Sequence, residues 1–90
     1  MMKTVTKKVQ MVDGEGLAAL LGENVVLFGM NYIYAGKLIG VNEKCVLLED
    51  AHIVYETGEL KADTWSDAQA LPYEHYVMIA AIESFGKSGR

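Results

Sequence analysis

Between residues 25 and 55 the chain is dense in Val, Ile, Leu, Tyr and Phe and is interrupted only by short polar or glycine-bearing sites. Gly29-Met30-Asn31 and Asn42-Glu43-Lys44 are turn material, whereas Gly36 and Gly40 fall inside otherwise strand-like sequence. This pattern predicts a meander of three strands over 24–29, 32–41 and 45–56. Glycine inside a strand costs stability unless the strand must bend or admit another backbone closely. A sheet of five short strands bent that strongly closes into a small barrel.

The flanking segments read as additions to this meander. Residues 1–12 alternate weakly through Val5, Lys7, Val9 and Met11 and are expected to form an extended arm or a short strand. Asp13 and Glu15 precede Leu17-Ala18-Ala19-Leu20-Leu21, and Gly22 follows, so a helix of about two turns is expected over 13–22. Residues 57–70 are polar and acidic and read as a loop, with Trp65 packing it down onto the domain in preference to stacking on a base. Residues 71–85 hold two more strands. In the preferred register the fourth runs through Tyr76-Val77-Met78-Ile79, Ala80-Ala81 form a corner, and Ile82 to Phe85 form the fifth. In the other register the fifth strand begins at Tyr76 and His75 lies in the loop before it. Residues 86–90 make a flexible basic tail.

Composition narrows the setting. At 90 residues this is one domain with a modest core, and an apolar fraction of 51% is high for that size. No apolar run approaches the roughly 18–20 residues that cross a bilayer. The surplus apolar surface is expected to lie between subunits. A single cysteine, Cys45, excludes an intrachain disulfide. With no apolar segment after the early lysines to act as a secretory signal, it suits the cytoplasm. The formal charge is -4, and it is unevenly spread. Lys3, Lys7 and Lys8 make the start basic, while Glu49, Asp50, Glu56, Glu59, Asp63, Asp67 and Glu74 face only Lys61.

Gly36-Lys37-Leu38-Ile39-Gly40-Val41-Asn42, a polar turn, and Cys45-Val46-Leu47-Leu48-Glu49-Asp50-Ala51 together resemble the first signature of the Sm and Sm-like RNA-binding proteins. Asn42 stands where that family carries Asp, and the Met-Asn pair that ends the loop in eukaryotic and archaeal members is absent. The spacing from Gly36 is similar to the bacterial, Hfq-type branch. The resemblance implies a mainly β, Sm-like (SH3-like) five-stranded, strongly bent antiparallel barrel with one short N-terminal helix. It implies a ring of identical subunits that binds single-stranded RNA or DNA, RNA in the first instance, in RNA processing or chaperoning. The turn Asn42-Glu43-Lys44 would line the pore of that ring, with Ala80 and Ala81, or His75 in the other register, in the second loop.

The interface of such a ring is expected at the last two strands. Tyr76, Val77, Met78, Ile79, Ile82 and Phe85 would otherwise leave apolar sheet edges bare, and head-to-tail pairing of copies closes a cycle without a free edge. A ring of the same fold that serves a structural or interaction role, without nucleic acid, is the alternative. No other chemistry rises to this level. Gly14-Glu15-Gly16-Leu17-Ala18-Ala19 fits a dinucleotide fingerprint in letters but lacks the βαβ context. His52, His75 and Cys45 have no paired metal-ligand spacing, and no nucleophile stands beside a base. No cofactor, metal or enzymatic activity is expected.

Overall fold

A computed structural model describes residues 16–90, so the expected arm over 1–12 and the acidic start of the helix lie outside the described residues. A 3-10 turn at Leu17–Leu20 leads into β1 (Asn24–Gly29), β2 (Ile33–Val41) and β3 (Cys45–Glu56). Two short strands follow, β4 (Asp67–Ala70) and β5 (His75–Met78). A second 3-10 turn, Ile79–Ala81, joins β5 to β6 (Ile82–Lys87). All pairings are antiparallel. The path across the sheet is β4-β3-β2-β1-β6, and β5 lies beside β4 along the same flank of β3.

Where a helix of two turns was expected, the described part is a single 3-10 turn. Ala19 N–H donates to Gly16 C=O at 3.1 Å and Leu21 N–H to Ala18 C=O at 3.3 Å, both three-residue bonds. Gly22, at φ 88°, then sends its N–H to Leu38 C=O in β2 at 2.7 Å. The sheet has captured the donor that another helical turn would need.

The strand number and the closure also differ from expectation. Six strands form, because the acidic segment ends in β4, on the C-terminal half of β3, and β5 takes the N-terminal half. Pro72, which has no N–H, lies in the gap between them. The sheet is not a closed barrel. Closure would need β5 to pair with β6, but the corner commits its backbone to either side instead. Ile79 N–H donates to Lys44 C=O at 2.9 Å beside β3, and Ala81 C=O presses against Gly29 at the end of β1. The corner therefore holds the two strands apart on opposite edges of one bent sheet.

The bend is built where β2 meets β3. Lys37 pairs with Glu49 and Ala35 with His52, so two steps on β2 face three on β3. The extra residue is Asp50, at φ 53°, a left-handed conformation that Asp tolerates better than most residues. The bulge inverts side-chain parity, so Val46 and Leu48 before it and Ala51 after it all reach one core. Gly36 is opposite. A Cβ there would meet Glu49 C=O at 3.0 Å and Ala51 Cα at 3.1 Å. A second irregularity, between Leu38 and Gly40, continues the bend.

Inside the bend, Val25, Leu27, Leu38, Val46, Leu48, Ala51 and Val77 form the core, and Leu17 and Leu20 of the first turn pack against it. Each fully buried leucine contributes about 1.5–3 kcal/mol. Val26, Ala35 and Val54 are buried too, but outside this cluster, on the other face of the sheet. There Trp65 and Val26 line one cleft, and Trp65 and Ala35 line another. Among the described residues no helix is long and apolar enough to cross a membrane.

Gly36→Ala should destabilise the fold by about 1–3 kcal/mol, the usual cost of overpacking, because the atoms in the way belong largely to the β3 backbone. Leu38→Ala should cost about 2–5 kcal/mol. Urea titration followed by circular dichroism measures both. A Gly36→Ala protein as stable as the parent would show that the bend does not depend on this approach.

Candidate nucleic-acid interface

The turn at 42–44 is organised by one side chain. Asn42 Oδ1 accepts the N–H of Lys44 at 2.8 Å and that of Cys45 at 2.9 Å, while Asn42 N–H donates to Cys45 C=O at 3.0 Å. Asn favours such turns because its carbonyl oxygen imitates a backbone acceptor two residues back. Asn42, Glu43 and Lys44 are all exposed, so the side chains of Glu43 and Lys44 project from a fixed support.

The corner between β5 and β6 lies against this turn. The bond from Ile79 N–H to Lys44 C=O joins the two directly, and Ala80 and Ala81 lead from there toward Gly29 and Tyr32, with which they line a cleft. Both alanines are exposed and contribute no donor or charge from their side chains. His75 is not part of this group. It stands at the other end of β5 opposite Leu48, about 13 Å along the strand at ~3.3 Å per residue. Its ring stacks on Tyr34, with centroids 5.4 Å apart and planes at 26°.

A cleft of about 340 Å³ opens next to the corner, lined by Met30, Asn31, Tyr32, Tyr34, Ala80 and Ala81 among others. The two tyrosine rings lie 6.3 Å apart, tilted by 53°. From sequence they are a packing ridge on one strand face, and Tyr34 does pack against the core. Tyr32, however, precedes β2 and is exposed, as is Met30. Sequence reading missed these two at the site. The available signal was a large apolar residue on each side of Asn31 inside a turn, where core packing has no use for it.

The six residues expected at a subunit interface divide by strand alternation. Tyr76, Met78 and Phe85 are 65%, 55% and 42% exposed, which is unusual for apolar side chains of this size. Ile79 and Ile82 are half-buried against the core. Val77 is 5% exposed and belongs to the core of its own chain, so its side chain is not free to meet another subunit. Among the described residues β5 pairs only with β3 and β6 only with β1, which leaves those two edges open there.

Charge at the turns is mixed. Lys44 is the one cation of the joined turns, with Glu43 next to it and Glu83 lining the cleft beside them. Among the described residues the only ion pair is Lys87 with Glu23 at 3.8 Å, exposed on both sides. No group of His, Cys, Asp and Glu among the described residues is arranged to hold a metal. Cys45 is a free thiol, half-buried at the start of β3.

Asn42→Ala should lower stability by about 1 kcal/mol through loss of the two accepted bonds, whereas Asn42→Asp, which keeps an acceptor oxygen there, should lie close to the parent. Equilibrium urea unfolding of the two variants distinguishes them, and equal losses in both would remove Asn42 from the role of turn lock. No family model, no curated protein and no solved structure matches this chain, so the geometry of these turns and edges must carry the functional argument.

Proposed function

We propose that this chain is an Sm-like protein that assembles edge to edge into a ring of identical subunits and binds single-stranded nucleic acid, RNA in the first instance. The observation that carries the proposal is the hydrogen bond from Ile79 to Lys44. It ties the turn 42–44 to the corner 79–81, far apart in sequence, and the two edges left open among the described strands start from that same corner.

The layout supports the same view. A short helical turn leading into a bent three-stranded meander, and at the far end a strand, one turn and a last strand, is what the resemblance implies, with β4 an addition to it. The substitution of Asn42 for the family's Asp is chemically small. A carboxylate oxygen at that position would accept the same two N–H bonds that Asn42 Oδ1 accepts.

Lys44 would supply phosphate contacts, and the Asn42 side-chain amide would offer a donor once its oxygen is engaged in the turn. The exposed Tyr32 ring beside the corner adds an apolar face of the kind single-stranded bases stack on. One weak site per subunit, repeated around an axis, gains through multiplicity. A ring that acts as a structural or interaction protein without nucleic acid is the second reading, and the specific observation in its favour is the charge. Glu43 stands next to Lys44 in the turn and Glu83 lines the cleft by the corner, on a chain of formal charge -4.

Light scattering at micromolar concentration should give a multiple of the chain mass, and Tyr76→Asp should reduce it to one subunit while leaving the circular dichroism spectrum intact. A monomeric parent would defeat the ring. Fluorescence anisotropy with labelled oligouridine and oligoadenosine at low salt should show binding that weakens as salt rises. Lys44→Ala should flatten that dependence by about 0.7 in log-log slope for each phosphate contact removed. An intact ring that binds neither homopolymer would leave the structural role standing.

A further inference from the structure

Outside the turns and edges, the most specific polar cluster is in the acidic segment between β3 and β4. Nη1 of Arg90 lies 2.9 Å from Thr57 C=O, 3.0 Å from Glu59 C=O and 3.0 Å from Thr64 C=O. The Cζ of the same guanidinium is 3.6 Å from the centroid of the Trp65 ring. Sequence reading made residues 86–90 a flexible basic tail. In the structure this end is held: Ser88 N–H donates to Asn24 C=O at 2.8 Å, extending the β6 ladder, and Arg90 N–H donates to Ser88 Oγ at 3.1 Å.

We propose that residues 57–65 form a guanidinium-binding site, filled in this structure by the chain's own Arg90, whose ligand class is an arginine side chain presented by a peptide. Three carbonyl oxygens from an irregular segment do not converge on one point without a cation or donor between them, because their dipoles repel. The segment makes little use of them internally, although Glu59 C=O also accepts the N–H of Ala62 at 3.0 Å. The fourth wall is the face of Trp65, whose negative quadrupole attracts a cation laid flat on it. Glu59 and Asp63 are exposed in the same segment and make the local field negative.

The geometry selects arginine over lysine. A planar guanidinium lies flat on the indole while the two N–H groups of Nη1 are shared among the three carbonyls, whereas an ammonium could meet the three carbonyls with its three N–H groups but has no plane to stack. The occupant in cis also explains why Trp65 sits where it does. The clefts on its two sides are both lined by Arg90, one with Val26 and Phe28 and the other with Ala35 and Asn24. The site is thus seated on the outer face of the sheet, away from the turn 42–44, and stands or falls independently of nucleic-acid binding.

The test vacates the site and offers a probe. Arg90→Ala removes the occupant without touching the sheet, and a cooperative thermal transition confirms that the fold is kept. Trp65 is the sole tryptophan, so its emission reports on the site directly. The vacated protein should bind N-acetyl-arginine amide saturably, at least tenfold more tightly than N-acetyl-lysine amide. The parent should respond at least tenfold more weakly, because Arg90 competes. Equal responses to the two amides, equal responses of parent and variant, or no saturable response in the folded variant would each overturn the proposal. A second measurement needs no variant. In nitrogen-15 spectra of the parent, the Arg90 guanidinium protons should be resolved and protected from exchange, and a single averaged, solvent-exchanging signal would overturn the occupancy in cis.

Discussion

The close approach of β3 to Gly36 is the constraint on which the rest of this fold depends. Asp50 adds one residue to β3, and the absence of a Cβ at Gly36 lets the strand pass there without crowding. Were Asp50 in regular strand conformation, the even-numbered positions after it would keep the face of Val46 and Leu48, and Ala51 would face away from the core. With the bulge, one long strand serves both ends of a bent sheet. Its first half faces β5 and its second half faces β4, so the bulge also decides where the two short strands can lie.

The meander was legible because its punctuation is chemical. Glycines and asparagines mark the turns between β1, β2 and β3, and Gly36 and Gly40 announce the bend at the positions where pairing with β3 is irregular. The described part of the N-terminal helix was misjudged for a reason no local propensity reveals, since the N–H of Gly22 goes to Leu38, sixteen residues later. β4 was missed because Asp67-Ala68-Gln69-Ala70 has no β-branched or aromatic residue. It is a strand by position, laid along a β3 edge that would otherwise be unpaired.

At the candidate site, sequence placed Asn42, Glu43 and Lys44 in one turn and Ala80 and Ala81 in another, but the bond that joins them is between backbone groups and leaves no mark on residue identity. His75 illustrates the opposite case. The other register would put it in a loop, yet it opens β5, paired with Leu48 and stacked on the ring of Tyr34. Val77 reads as an interface residue by composition and as a core residue by alternation, and alternation decides, because neighbouring strand residues face opposite sides.

The three-residue corner Ile79–Ala81 has a consequence beyond linking two strands. It is bonded to the turn after β2 on one side and pressed on Gly29 on the other, so the two open edges of the sheet are held at a fixed mutual angle. In any assembly that joins the β5 edge of one copy to the β6 edge of the next, that angle is the rotation between neighbours, and the rotation sets how many copies complete a circle. The stoichiometry of such an assembly would then be written in the backbone of three small or aliphatic residues, and a single inserted residue there would change the count without altering any contact surface.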